Sequence, residues 1–504
     1  MARYVLSHRR AGKFNDDAKR ASRTAADHAF SSLFEPAADV VNRMEPAEDT
    51  AREVIVFEAN PADVAAKATM VGPDVLIEPE ILHFPAPAFP LDLAGLRPGM
   101  APGMALAGFG TEFSVTVRGP NSPLLGAEVL LFLRIGSLEN LLSARTDEDG
   151  KVRFRFSRVW SPAALLAIPW GNHWSMVVRG PTAGLEVICP SLPAIERLSW
   201  WHQVLGLTEP VEDLGSGVSI GVVDTGAGPH PDLDHVVLAG AFIDGNHDTE
   251  PKAGQDVDSH GSHVSGTIGG RPQGENGPVG IAPAVSLFAA RVFAGPDTGA
   301  NQGDIANAVD HLSRERQADL LNLSLGSPRP SEIEHDAIID AAERGTLCIC
   351  AAANSAGPVE FPAAFPEAVA VSALGLEGWG PPGSLSSTRL PTDRERFGVE
   401  NLYLANFSCF GPEIDSTAPG VGIIATVPER FGLVAPYKDL DGTSMASPLA
   451  CALLAAVLSG SQDYLDLPRN ITRAERARSL LRQACRDIGL AARFQGSGLP
   501  STRR

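Results

Sequence analysis

The chain has 504 residues, and its 60 acidic residues outnumber its 41 lysines and arginines, for a formal net charge of −19. The length predicts roughly three domains, and the negative charge argues against a nucleic-acid partner. No apolar run reaches the ~18 residues that a membrane-spanning helix needs, so we expect no membrane partner.

Residues 1–84 predict a small α+β domain. Strands are predicted at 3–9, 40–44, 53–58 and 75–84, and helices at 16–34 and 61–70. This β-α-β-β-α-β order is typical of ferredoxin-like domains, although an unrelated α+β domain is the alternative. Residues 85–110 are rich in proline, glycine and alanine and predict a linker.

Residues 111–190 predict a small β-sandwich. Apolar segments at 113–117, 127–133 and 151–156 are separated by turn signals such as Gly119-Pro120 and Asp149-Gly150. The sequences at 126–129 and 146–152 resemble transthyretin-like and carboxypeptidase-regulatory-like modules. Because no acid, base and nucleophile cluster there, we predict a structural or regulatory role.

Four polar residues in the remaining sequence suggest a catalytic site. Asp224 ends a β-rich run, His260 begins a segment of small residues, Asn354 ends an apolar strand, and Ser444 precedes the apolar helix at 449–458. A nucleophile, a base, an orienting carboxylate and an amide donor are the groups that acyl transfer requires. The sequence Gly442-Thr443-Ser444 by itself could also be an ordinary helix cap.

These motifs resemble those of the subtilisin-like serine proteases and occur in that family's order. They are Asp224-Thr225-Gly226, the stretch 260–267, Asn322-Leu323-Ser324-Leu325-Gly326 and the stretch 442–448. The resemblance covers about residues 200–500. It implies an α/β, three-layer sandwich with a mainly parallel sheet, whose strands lie near 218, 286, 320, 347 and 368. The segment 376–404, rich in glycine, proline and arginine, departs from a minimal domain of the family and predicts a surface insertion.

The resemblance also implies a role for each catalytic residue. Ser444 attacks the scissile carbonyl and forms an acyl-enzyme, His260 transfers the proton, Asp224 orients the imidazole, and Asn354 donates to the oxyanion. The chemistry requires no cofactor, and the partner is a protein or peptide substrate. The other polar residues near these motifs, His230, Asp232 and His263, are expected to be structural.

The family's substrate pocket maps onto three segments. Ser324, Leu325 and Gly326 form one wall, Ala352 and Ala353 form the other beside Asn354, and Glu360 lies at the floor. A carboxylate at the floor favours lysine or arginine before the cut, unless Glu360 turns to solvent. Asp232 and the loop at 275–279 lie where many relatives bind a structural calcium ion. The resemblance thus allows a structural calcium, but the loop contains a proline and departs from the family's spacing, so a metal-free loop is the alternative.

Residues 1–84 resemble the inhibitory propeptides of the family, whose C-terminal tail lies in the active-site cleft. The tail here is 78–84, with Phe84 expected before the scissile bond. Pro85 follows, and cleavage before a proline is slow, so the domain is expected to remain as a standing inhibitor or to be cut elsewhere. The resemblance thus implies autoinhibition.

The six cysteines favour free buried thiols in a reducing compartment over disulfides. The first ten residues lack the apolar region of a secretory signal. We therefore expect a cytoplasmic location, with export by another route as the alternative. Two other functions share these motifs: a peptide ligase or cyclase, and a catalytically silent peptide-binding scaffold.

Overall fold

The computed structural model describes residues 1–35, 38–44, 52–85, 110–274 and 276–502. Most of the predicted linker, 86–109, therefore lies outside the described residues. The described residues form an N-terminal unit (residues 1–85), a β-module (110–191) and a large unit (196–502). No helix in the described part of the chain combines the length and apolarity needed to cross a bilayer.

The N-terminal unit is a four-stranded antiparallel sheet with two helices, and its strand order is β2-β3-β1-β4. Asn15 and Asn60 cap the two helices by accepting hydrogen bonds from backbone amides. Its elements are β1 (Ala2–His8), α1 (Asp16–Ala29), β2 (Asp39–Met44), β3 (Val54–Ala59), α2 (Pro61–Ala68), β4 (Val75–Pro79) and β5 (Leu82–Pro85).

The β-module consists of two facing sheets, with strand orders β11-β10-β7-β8 and β12-β6-β9. Alternate side chains of β6, β7 and β9 point inward and form a shared apolar core. Its strands are β6 (Gly110–Arg118), β7 (Glu128–Ile135), β8 (Leu138–Arg145), β9 (Lys151–Ser157), β10 (Ser161–Ile168), β11 (Met176–Arg179) and β12 (Leu185–Ile188).

The large unit is built on a nine-stranded, mainly parallel sheet. Its order is β16-β15-β18-β14-β20-β22-β23-β24, and β25 pairs with β23. Only β16 and β24 run antiparallel to their neighbours in this sheet, among the residues that are described. The first half of the unit comprises β13 (Glu196–Arg197), α3 (Trp200–Val204), β14 (Ser219–Asp224), β15 (Val237–Ile243), β16 (Asn246–Asp248), α4 (His260–Gly269), β17 (Gly277–Pro278), β18 (Ser286–Arg291), β19 (Ala300–Asn301), α5 (Gln302–Arg314), β20 (Leu320–Leu323), β21 (Leu325–Gly326), α6 (Glu332–Glu343) and β22 (Leu347–Ala351).

Helices cover both faces of this sheet. On β22, Leu347 and Ile349 face the core that contains α4, α7 and α9, while Cys348 and Cys350 face the core that contains α5 and α6. The alternation buries both faces of the strand, as expected for a parallel sheet in a three-layer α/β fold. The second half of the unit comprises β23 (Val369–Leu376), β24 (Leu402–Leu404), β25 (Ile414–Pro419), β26 (Ile423–Thr426), β27 (Tyr437–Leu440), α7 (Thr443–Ser459), α8 (Gln462–Leu465), α9 (Ile471–Ala484), β28 (Cys485–Arg486), α10 (Ala492–Gln495) and β29 (Leu499–Pro500).

The segment predicted as a surface insertion is partly buried. Arg389 is completely buried, and its Nε donates to Asp441 Oδ2 at 2.9 Å. Trp379 packs against Trp174, Trp200 and Trp201. The glycines and prolines of this segment indicated a loop, but its arginine and tryptophan anchor that loop in the core.

The N-terminal unit docks on α5 and α6 of the large unit through buried charges. Arg10 Nη1 donates to Asp310 at 2.7 Å, and its Nε lies 3.3 Å from Asp340. Arg52 Nη2 donates to Asp336 at 2.8 Å. Both arginines are completely buried, so the two units are joined by desolvated ion pairs rather than by a loose polar surface.

Candidate active site

Asp224 and His260 meet where β14 ends and α4 begins. His260 Nδ1 donates to Asp224 Oδ1 at 2.8 Å, and the amide of Thr225 donates to the same oxygen at 2.7 Å. A Cβ on Gly261 would lie 2.1 Å from the carbonyl oxygen of Gly226, so this close approach requires glycine. The end of β14 and the start of α4 therefore hold each other in place.

The environment of His260 favours its protonated form. Burial alone lowers the pKa of its imidazole, but the negative charges of Asp224 and Asp258 raise it, and the net pKa lies above the ordinary 6.5. Among the described residues, His260 Nε2 has no hydrogen-bond partner. The Nε2 position is therefore available to exchange a proton.

Ser444 is the second residue of α7, a helix that packs against α4. Its Oγ donates to the carbonyl of Ser324 at 3.1 Å, so the structure does not join it to His260 by a hydrogen bond. Pro448 lies inside α7, beyond its first turn. The carbonyl that Pro448 cannot engage belongs to Ser444, and Ser324 Oγ donates to it instead at 2.9 Å.

Asn354 follows β22 and lies beside the start of α7. Its Oδ1 accepts hydrogen bonds from the amide and the hydroxyl of Thr443, both at 2.9 Å. These contacts fix the orientation of the amide, since its NH2 group is at the opposite end. Asn354 and the N-terminus of α7 thus lie together, where donors could stabilise an oxyanion.

His263 is buried on α4, three residues after His260. Its Nε2 lies 2.9 Å from the carbonyl oxygen of Ile423 and 3.1 Å from that of Lys438, and burial lowers the pKa of His263 to about 3. An imidazole that donates to two carbonyls is held in the core. His263 therefore has the surroundings of a structural residue.

The residues near the expected calcium site do not fit a metal. Asp232 Oδ1 accepts from the amide of Gln273 at 3.1 Å, and Oδ2 accepts from the hydroxyl of Tyr437 at 2.5 Å. Gly277 and Pro278 pair with β13, whereas Glu275 lies outside the described residues. The described ranges contain no group of three or more side chains that could hold a metal ion.

A cleft runs between β19 and β21, and β5 of the N-terminal unit lies in it. Leu82 and His83 pair antiparallel with Asn301 and Ala300. On the other side, Phe84 pairs with Gly326 and Pro85 with Leu325. Phe84 is therefore two register steps from Ser324 and Ser444, which differs from the expectation that it directly precedes the scissile bond.

The two predicted pocket walls are joined to each other. The amide of Ser327 donates to the carbonyl of Phe361, and the amide of Glu360 donates to that of Ala352. The Glu360 side chain is half-buried; its Oε1 accepts from Ser355 Oγ at 2.8 Å, and its Oε2 is 4.0 Å from the position of a Cβ on Gly326. Glu360 therefore lies next to the wall, not out in solvent.

Two residues that sequence reasoning missed support this arrangement. Asp256 accepts hydrogen bonds from Thr225 Oγ1 and from the amide of Ser262, and so ties the end of β14 to α4. Burial raises its pKa to about 6. The second is Glu334 of α6, buried beside His83. Asp256 could have been noticed from its place four residues before His260, but no local signal marked Glu334.

All six cysteines are free, and five of them are buried. Burial raises the pKa of Cys348 to about 12. These thiols are therefore protonated and unreactive at neutral pH, and none of them belongs to the site.

Comparison with known proteins agrees with the fold and with these motifs. The model of the Subtilase family matches residues 215–498. Subtilisin Savinase from Lederbergia lenta is 32% identical over 287 residues, which cover 56% of this chain and 89% of that protein. An alkaline protease from Shouchella clausii is also 32% identical, over 56% of this chain and 63% of its own.

A third relative is the major intracellular serine protease of Bacillus subtilis, 29% identical over 56% of this chain and 81% of that protein. The family match covers more than half of the chain and coincides with the large unit. The chain therefore belongs to the subtilase family and is a subtilisin-like serine protease.

Proposed function

We propose that this serine protease is an endopeptidase that uses Ser444 as nucleophile, His260 as general base and acid, and Asp224 as the orienting carboxylate. The observation that carries the assignment is the 2.8 Å hydrogen bond from His260 Nδ1 to Asp224. It fixes the tautomer in which Nε2 is the basic nitrogen. No cofactor enters this chemistry.

The reaction begins when Ser444 Oγ turns from the Ser324 carbonyl toward His260 Nε2. The serine oxygen attacks the scissile carbonyl as its proton passes to His260, and the imidazolium then protonates the leaving amine. The oxyanion is held by the Asn354 NH2 group and the backbone N–H of Ser444. A water molecule then attacks the acyl-enzyme as His260 takes its proton, and the imidazolium gives that proton to Ser444 Oγ as the carboxylic acid product leaves.

We infer that Glu360 favours lysine or arginine at the residue before the cut. Its carboxylate lies beside Gly326, on the wall of the expected pocket, and is only half-buried. A cationic side chain there gains a charge-assisted hydrogen bond. The pocket walls are Ser324 to Gly326 on one side and Ala352 to Asn354 on the other.

The N-terminal unit is proposed to act as an attached inhibitor. Its strand β5 fills the space between β19 and β21, which an extended substrate would occupy. Because the unit is part of the same chain, its effective concentration at the cleft is high. Activation then requires cleavage of the connection at 86–109 or a partner that pulls the unit away.

The β-module is proposed to support the segment that leads to Ser444. Trp170 Nε1 donates to the carbonyl of Pro428 at 2.8 Å, and the amide of Asn172 donates to that of Tyr437 at 2.6 Å. Arg145, Arg430 and Lys438 surround the Trp170 ring. These contacts give the module a structural role next to the site rather than chemistry of its own.

The proposal is tested with the full-length chain and its Ser444→Ala variant. We expect a fluorophosphonate probe to label the former and not the latter. An unstructured protein substrate should be cut only by the former, and slowly while the N-terminal unit remains docked. Mass spectra of the products show water added at each cut if the reaction is hydrolysis. Labelling that persists in Ser444→Ala would refute the assignment.

A further inference from the structure

We propose that Glu334 is a second specificity-determining residue, which selects a lysine, arginine or histidine side chain at one defined position of the substrate. The position is the third residue before the one that faces Ser324. This inference rests on the proposed endopeptidase function and names a feature of its substrates.

The register of β5 defines the position. Phe84 faces Gly326 and Pro85 faces Leu325, so a substrate that continues in this register meets Ser324 one step later. Ser324 is level with the nucleophile, since its carbonyl accepts from Ser444 Oγ at 3.1 Å. A substrate residue in the place of His83 therefore lies three residues before the one at Ser324.

The His83 side chain points into the large unit rather than into solvent. It is completely buried, whereas Leu82 and Phe84 on either side are each 38% exposed. Its Nε2 lies 3.2 Å from Glu334 Oε2. Successive side chains of a strand point to opposite faces, so any residue in this place is directed at Glu334.

Glu334 is completely buried on α6, and neither of its side-chain oxygens accepts a hydrogen bond from any residue that the structure describes. Both ring nitrogens of His83 likewise lack a hydrogen-bond partner within those ranges. A buried carboxylate without donors is unfavourable, so it gains strongly from a cation that can donate to it. A neutral apolar side chain at this position would leave the carboxylate unpaired.

His83 of β5 is therefore itself a side chain of the kind that this position favours, because it can donate to Glu334. Histidine offers a ring N–H on a short stem, and lysine and arginine bring N–H donors that carry a positive charge on longer stems. The preference is separate from that of Glu360, because the two carboxylates meet substrate residues at different positions.

The experiment uses the full-length chain with His83→Gly, which removes the imidazole from the cleft and leaves Glu334 in place. Four peptides differ only at the fourth residue before the cut, which is the third before the residue at Ser324 and is lysine, histidine, glutamine or leucine. The ratio of kcat/KM between two peptides does not depend on how many molecules have an open cleft. We expect lysine to exceed leucine by roughly tenfold or more.

Adding Glu334→Gln should bring the lysine-to-leucine ratio to within about twofold of one, because the amide carries no charge. The matched control is Glu332→Gln on the same helix, whose side chain is 68% exposed, and it should leave the ratio unchanged. If the lysine-to-leucine ratio is already near one in His83→Gly alone, the inference is wrong. This outcome does not depend on whether the Glu334→Gln variant folds. If no peptide is cut in a Ser444-dependent way even after Arg10→Met is added to release the N-terminal unit, the proposed function itself is wrong.

Discussion

Replacing Arg10 by methionine should release the N-terminal unit from the large unit. Arg10 is completely buried between Asp310 and Asp340, and methionine keeps its apolar stem while it removes the charge. Breaking a buried ion pair from one side costs about 3–5 kcal/mol, since the partner charge remains buried. We expect a cost at the lower end of this range, because both partner carboxylates retain other cations. Asp310 still lies near Arg52, and Asp340 still pairs with Arg344 and Lys19.

A cost of about 3 kcal/mol changes the ratio of docked to undocked molecules by roughly 100-fold. If β5 blocks the cleft, the initial rate at which the full-length chain cuts an unstructured protein should rise by up to about that factor. Hydrogen exchange of the amides of Ala11 and Gly12, which donate to Asp336 and Glu343 of the large unit, should quicken in parallel. The control is Arg20→Met, whose pair with Asp17 is exposed and worth at most about 1 kcal/mol.

The same cluster predicts how docking depends on pH. Burial alone would raise the pKa of Asp340, but Arg10 and Arg344 lower it below its ordinary 3.8. An acid with a lowered pKa contributes its full stabilisation above its ordinary pKa and loses it as the pH falls through the lowered one. Docking should therefore persist at neutral pH and weaken only in strong acid.

Two results would refute this reasoning. If the amides of Ala11 and Gly12 in Arg10→Met exchange as slowly as before, the ion pairs do not hold the units together. If they exchange faster while the cleavage rate is unchanged, docking is as described but β5 does not restrain the enzyme.

Four further predictions concern the large unit. Asp258→Asn should move the acid limb of the pH–rate profile to lower pH, because the lost charge helps to raise the pKa of His260; an unmoved limb contradicts this. Tyr437→Phe should destabilise the protein by about 1–3 kcal/mol, measured by denaturant unfolding, since Asp232 loses a buried donor. Equal melting temperatures in calcium and in chelator are expected for the unaltered chain, because Asp232 is already hydrogen-bonded. Glu360→Ala should lower the ratio of arginine to phenylalanine turnover, and an unchanged ratio would exclude Glu360 from specificity.

The sequence predicted the elements that depend on local patterns. In the N-terminal unit the helices begin at Asp16 and Pro61, where they were expected, because an asparagine cap precedes each. The ends of β14 and β22 lie next to Asp224 and Asn354, since buried strands of a parallel sheet read as continuous apolar runs. In the β-module, β8, β10, β11 and β12 were not identified, as their apolar alternation is weaker.

Features that depend on distant residues could not be predicted. Glu334 resembles an ordinary acid in the first turn of a helix, and only the docked β5 shows that it faces His83. Arg10 and Arg52 are indistinguishable in sequence from surface arginines. The position of Phe84 in the cleft follows from strand register, which is set by pairing across about 240 residues and not by the tail itself.

The hydrogen bond from Ser444 Oγ to the carbonyl of Ser324 holds the serine away from His260. A peptide strand beside β21 brings a backbone N–H to the same carbonyl that Ser444 Oγ occupies at 3.1 Å. We expect the arriving N–H to displace the hydroxyl, which is then free to turn toward His260. In the structure, where β5 pairs with Gly326 and Leu325 but reaches no farther in its described residues, Ser444 is turned away from His260. We therefore expect Ser444 to become a nucleophile only when a substrate residue pairs with Ser324.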